Sequence, residues 1–249
     1  MNPYAALVND HGLYCYLNTE LPLPASRETV LHYFESMQKV YPTLRNFTSR
    51  ESGEHLLEED KEDGSYRWLA LEHRRVCTGY VNPPTLEAAD AQHEKVIQTA
   101  PFHFGINGLD AEALDVVFVF DLIFAGNHDD VVAEAFGLKS PLAPFFSVPG
   151  AKIMKYEPII LLALDLEADL HCRLAIETRT NPFQVRTGQF QDDPISVFFT
   201  VRRYWHGEPA DEFLEAYRKQ REILQDMTDQ LVVPTVLQPL ARVIAEKSS

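Results

Sequence analysis

The sequence predicts an α+β protein, an antiparallel sheet with helices packed on one face, with an internal duplication of two β-α-β(n)-α halves. Three observations carry this. Over residues 169–180, Leu170, Cys172, Leu174 and Ile176 fall on one side and His171, Arg173, Glu177 and Arg179 on the other. Strict alternation means one buried and one solvated face, as in an antiparallel sheet covered on one side. Amphipathic helical stripes follow strand-like runs, and the order strand, helix, strand run, helix occurs twice. A doubly wound parallel sheet would instead alternate apolar strands with helices throughout.

The elements follow in order. Tyr4, Ala6 and Val8 read as strand material, Asn9-Asp10-His11-Gly12 as a turn or bulge, and Leu13 to Leu17 as strand again. Ser26 is a helix N-cap with Glu28 in the first turn, and Val30, Phe34, Met37 and Tyr41 form one stripe over residues 27–41, closed by Pro42. Residues 44–82 are a run of strands, with the acidic stretch 51–63 as a solvated tip closed at Asp63-Gly64. Thr85 caps a second helix over 86–99, and 101–109 reads as the linker.

The pattern then begins again. Residues 113–124 are a long strand, Asn127 caps a short helix, and 140–150 is a Pro-rich loop. Strands are expected near 152–166, 169–180 and 195–205, a long helix whose first turn holds Pro209, and a last helix from Pro234. The halves are placed at 1–105 and 106–230, with a C-terminal helix and tail at 231–249. In element order alone, this layout resembles the doubled α+β saddle of the TATA-binding protein family.

Composition limits function. Thirty-seven acidic against 22 basic side chains give a net charge of −15 over 249 residues. A field of that sign repels phosphate backbones and anionic membranes, so no nucleic acid and no membrane partner is expected. No apolar run is long enough to span a bilayer, and the N-terminus does not read as a secretory signal. The three cysteines, Cys15, Cys77 and Cys172, are far apart without a CxxC, and read as reduced, buried residues of a cytoplasmic protein. The chain has no Walker loop, GxGxxG, GxSxG or HExxH, so no cofactor is expected and the reading leans away from an enzyme.

His128-Asp129-Asp130 offers metal-ligand chemistry with His171 or Asp121, but carboxylates at a helix start stabilise the helix dipole without a metal, and none is assigned. His93 lies on an apolar helix face and reads as a core histidine bonded to a carbonyl. The charged side of the alternating strand carries more. If neighbouring strands pair in order, Arg173, Glu177 and Arg179 meet Arg202 and Arg186 on an open face, with Phe198 and Tyr204 between them. Arginine with aromatics is what protein interfaces enrich. The expectation is an acidic binding or adaptor module that takes a protein or peptide partner through His171, Arg173, Glu177, Arg179, Arg202 and Tyr204. The alternative is an enzyme or small-molecule carrier, with a pocket between the sheet and the long helix lined by Trp68, His171, Glu177 and Arg179. A third reading is an acidic mimic that occupies a basic protein.

Overall fold

The computed structural model describes residues 4–24, 26–50, 53–209 and 212–248. Nine strands form one antiparallel sheet: β1 (Asp10–Thr19), β2 (Asn46–Ser49), β3 (His55–Glu58), β4 (Tyr66–Glu72), β5 (Arg75–Val81), β6 (Ala111–Phe124), β7 (Ile159–Ala163), β8 (Leu170–Glu177) and β9 (Asp193–Tyr204). Their order is β2-β3-β4-β5-β1-β6-β9-β8-β7. Strands β1 and β6 pair at the centre over Asp10 to Thr19. Outward from that seam the order is β1-β5-β4-β3-β2 on one side and β6-β9-β8-β7 on the other.

Alternation assigns the faces. Leu13, Cys15 and Leu17 of β1, Leu114, Val116, Phe118, Phe120 and Leu122 of β6, and Ile195, Val197, Phe199 and Val201 of β9 all join one buried core. Helices α1 (Arg27–Val40), α2 (Leu86–Phe104) and α6 (Phe213–Met227) supply its other half through Val30, Tyr33, Phe34 and Met37, through Ala89, Val96, Ile97, Ala100 and Phe104, and through Phe213, Ala216, Tyr217 and Leu224. Ser26 accepts the Thr29 amide and Thr85 the Ala88 amide, the caps that their side chains foretell. Short helices α3 (His128–Val132), α4 (Ala143–Phe146) and α5 (Pro182–Thr187) follow β6, and a last helix α7 (Gln238–Lys247) ends the described chain. No helix of the described residues is long and apolar enough to cross a membrane.

Several boundaries differ from the sequence reading. Residues 9–12 are not a turn: β1 begins at Asp10, and Asn82 Oδ1 accepts the His11 amide, holding that end extended. Residues 4–7 form a turn, not a strand. Helix α2 continues through Pro101 to Phe104, because Phe104 packs on Tyr33 at 4.9 Å; Gly105, at φ 69°, ends it. The loop 140–150 holds the one-turn α4. The strand expected near 152–166 is only five residues long, since the chain is irregular from 151 to 158. Pro209 lies ahead of α6, whose regular turns start at Phe213; Ala210 and Asp211 are outside the described residues. Pro234 does not start a helix. It sits within a π-helical stretch, Thr228–Leu237, that joins α6 to α7, where widened turns admit a residue with no amide hydrogen.

Candidate functional site

The face of the sheet away from the helices is crossed by register-matched rows of side chains. One row runs Glu58, Trp68, Gly79, Tyr14, Val117, Thr200, Arg173 and Leu161, from β3 to β7. The next runs Cys77, Tyr16, Asp115, Arg202, His171 and Ala163. Directly opposed residues of an antiparallel pair share a face and lie about 5 Å apart. Trp68 lies over Gly79, where a Cβ would come within 2.3 Å of the indole, and meets Tyr14 edge-on at 5.1 Å. Only a residue without a side chain leaves room for that ring.

Toward β7 the face holds an open cleft of about 480 Å³. Its lining includes Tyr16, Arg75, Asp115, Leu161, His171, Arg173, Glu177, Phe198, Thr200, Arg202 and Tyr204, so three arginines stand against two carboxylates in a chain of net charge −15. Five of the six residues expected from sequence converge here: His171, Arg173, Glu177, Arg202 and Tyr204. Arg179 stands just beyond, donating to Glu177 at 3.4 Å and to Ser196 Oγ at 3.2 Å. Arg186 is not on this face, because residues 182–187 form helix α5 rather than strand.

The charges are ordered. Arg202 forms a two-pronged pair with Asp115, Nε to Oδ1 at 2.5 Å and NH2 to Oδ2 at 2.7 Å, and lies over the Tyr204 ring at 5.6 Å. These hydrogen bonds to Asp115 raise the Arg202 pKa above its ordinary value. Asp115 is buried, with a side chain 4% exposed, and also accepts Asn18 Nδ2 at 3.1 Å. Arg75 is held by Glu72 and covers Tyr16. Burial pushes the Tyr14 and Tyr16 phenols well up. Burial also raises the Asp121 carboxyl, which accepts Ser196 Oγ at 2.6 Å. Arg173 differs from the others: half-buried in the cleft, its guanidinium has no hydrogen bond or ion pair among the described residues.

Sequence reasoning missed Tyr16, Arg75, Asp115 and Leu161. The signal was present for Tyr16, which alternates with Leu13, Cys15 and Leu17, but its neighbours depend on the β1–β6 register. The residues of the alternative pocket are misplaced for that purpose. Trp68, His171 and Glu177 lie on the face opposite α6. The opening beside α6, about 320 Å³, is lined instead by Asp165, Asp169, Arg203, Glu208, Lys219 and others.

The remaining candidates are held by hydrogen bonds within the chain. His128 Nδ1 accepts the Arg179 amide at 3.1 Å and Nε2 donates to the Phe124 carbonyl at 2.9 Å, a neutral tautomer whose pKa burial lowers. Asp129 accepts the Tyr156 amide and the Thr178 hydroxyl. His93, fully buried, donates from Nε2 to the Leu13 carbonyl at 3.0 Å, and burial takes its pKa down to about 3. Among the described residues, no group of three or more His, Cys, Asp or Glu side chains is placed to hold a metal ion.

Fold and face together define an α+β protein with a nine-stranded antiparallel sheet, helices on one side and an arginine–aromatic cleft on the other. No protein-family model matches the chain, and no curated protein matches it significantly.

Proposed function

We propose that this protein is a non-catalytic binding module that holds an acidic segment of a protein partner in the cleft beside β7. The observation that supports this is Arg173. A guanidinium stays charged at any physiological pH, and burial without a counter-ion is costly. The other cations of the site are matched within the chain: Arg202 by Asp115, Arg75 by Glu72 and Arg179 by Glu177. Arg173 is left to donate to a carboxylate from outside, opposite Leu161 and Thr200, in a cleft whose walls include Phe198 and, farther along, Tyr204. A bidentate arginine–carboxylate pair in such a setting is among the stronger polar contacts proteins make.

The test uses labelled peptides with alternating acidic and aliphatic residues, followed by fluorescence anisotropy. Arg173→Ala should weaken capture by about tenfold or more while leaving the melting temperature in place. Equal affinity in the variant would place the binding surface elsewhere.

One observation favours a second reading. A cleft of about 480 Å³ also suits a small carboxylate-bearing molecule. A small ligand that stays with the purified protein in native mass spectrometry, and leaves on Arg173→Ala, would support the carrier over the adaptor.

The reading also takes the two halves as copies of one unit. Beyond the shared strand order, each closing helix sends one buried glutamine into the sheet. Gln92 of α2 donates to Thr78 Oγ1 and to the Gly79 carbonyl, and Gln220 of α6 to the Leu114 and Val201 carbonyls. The halves' superposition tests this: Gln92 and Gln220 should coincide when β1, β5 and α2 are laid on β6, β9 and α6.

A further inference from the structure

The two edges of the sheet are unlike. The β2 edge is Asn46-Phe47-Thr48-Ser49, short and mostly polar, as sheet edges in water usually are. The β7 edge is Ile159-Ile160-Leu161-Leu162-Ala163, with no charge, and its four large side chains are 50–61% exposed. A long-chain aliphatic edge without a gatekeeping charge is a template for another strand.

Its backbone specifies which strand. The Leu164 amide bonds to the Leu170 carbonyl and the Ile176 amide to the Pro158 carbonyl. Those bonds mark the inward-facing pairs of the β7–β8 ladder. Antiparallel alternation gives Ile160 and Leu162 the same inward direction, and turns the amides and carbonyls of Ile159, Leu161 and Ala163 outward. Three outward residues spaced evenly about Leu161 are their own complement. Rotated by a two-fold through Leu161, Ile159 meets Ala163 of a second copy, Leu161 meets Leu161, and Ala163 meets Ile159. Each of these pairs can exchange both of its backbone hydrogen bonds.

From this we infer that the protein forms a two-fold dimer by antiparallel β7–β7 pairing, centred on Leu161, joining two nine-stranded sheets into one. The occupant is a second copy because β7 presents exposed aliphatic side chains on both faces, so that self-pairing covers aliphatic with aliphatic at every position, and an isologous contact closes after two chains. Self-pairing also sets no charge against its like within β7, which matters in a chain of net charge −15. The flanking acids are already engaged within their own copy. Glu157 is bonded to Lys155 and Thr178, and Asp165 accepts the Asp169 and Leu170 amides. The inference does not depend on what the cleft binds, but it enlarges that site. Arg173 and Leu161 share a row, so the dimer lines up Arg173, Leu161, Leu161 and Arg173 across the two-fold, three strand spacings or about 14 Å from one arginine backbone to the other.

The experiment is sedimentation velocity and light scattering of the full chain, from low micromolar to hundreds of micromolar. The wild type should reach twice the 28.4 kDa of one chain. Leu161→Pro deletes the central outward amide and no β8 bond, so it should return the monomer with its circular dichroism and melting temperature retained. Phe47→Lys, on the opposite edge, should leave the dimer intact. Leu161→Cys should form a disulfide-linked dimer on mild oxidation, since hydrogen-bonded partners lie about 5.5 Å apart, within disulfide range. Phe47→Cys should not. A wild type that stays monomeric throughout overturns the inference, whether or not an unrelated peptide strand binds β7. A dimer that survives Leu161→Pro overturns it equally.

Discussion

Arg202→Ala tests the distinction between the paired and the unpaired arginine of the cleft. Truncation removes both prongs from Asp115 and leaves that carboxylate, 4% exposed, with Asn18 as its remaining side-chain donor. Breaking a fully buried ion pair costs about 3–5 kcal/mol because a charge is stranded. Arg202 itself is 34% exposed, so water can enter the vacated space and part of that cost is screened. The expected loss is therefore about 2–3 kcal/mol. For a chain of this size that is a fall in melting temperature of about 5–10 °C. The same truncation at Arg173, which strands no partner, should cost below about 0.5 kcal/mol. Urea unfolding followed by circular dichroism reads both, with the m-value checked for constancy. Asp115→Asn in the Arg202→Ala background should recover about 1 kcal/mol by removing the orphaned charge. A loss below about 0.5 kcal/mol for Arg202→Ala would refute the reasoning, and would mean that the Asp115 pair is no more than a surface ion pair.

Three further outcomes follow from the same packing. His93 titrates near 6.5 in the unfolded chain and at about 3 when folded, so the unfolded state takes up the proton first; stability is full above pH 6.5 and falls by up to about 1.4 kcal/mol per pH unit below it. His93→Gln should flatten that slope between pH 6 and 4, as read by denaturant unfolding at each pH. Gly79→Ala should displace Trp68 from Tyr14, with a loss of about 1–3 kcal/mol and a shifted tryptophan emission. Ile176→Ala, at a site 2% exposed, should cost about 2–5 kcal/mol, and Leu174→Ala clearly less, because Leu174 is only half-buried beside the uncovered β7.

Strand β8 was legible because its alternation is a local, two-residue pattern, and alternation alone names the cleft's outer wall. The partners of that wall were not. Asp115 reaches Arg202 across 87 residues of chain, through a register that no local pattern carries. Leu161 was hidden for another reason. An uninterrupted aliphatic run reads as a strand buried on both faces, whereas this one is exposed on both because it ends the sheet. The prolines misled in the opposite direction. Pro101 and Pro234 read as helix boundaries, but packing of Phe104 on Tyr33 and a π-helical stretch carry the helices through them. The turn-like composition of residues 9–12 likewise yielded to pairing, since β1 pairs with β6 from Asp10 and with β5 from Gly12.

The central β1–β6 seam divides the sheet into the strands before residue 105 and those after it. Among the described residues they are joined chiefly at β1–β6 and directly above it, where α6 meets α2 through Tyr217 with Asp90 and Arg218 with Glu94, and where Gln225 donates to the Tyr4 hydroxyl. The covalent link is the turn between Gly105 at the end of α2 and Ala111 at the start of β6, and its first bond to the β1 side is the Glu20 amide on the Asp110 carbonyl. A cut ahead of Asp110 removes no rung of the ladder. Two separately made pieces would each carry one side of the seam, and their reunion would be an intermolecular association driven by the same strand and helix contacts. Such a reunion would read out the seam alone, since among the described residues the β1–β6 ladder is the one stretch of strand pairing shared by the two pieces.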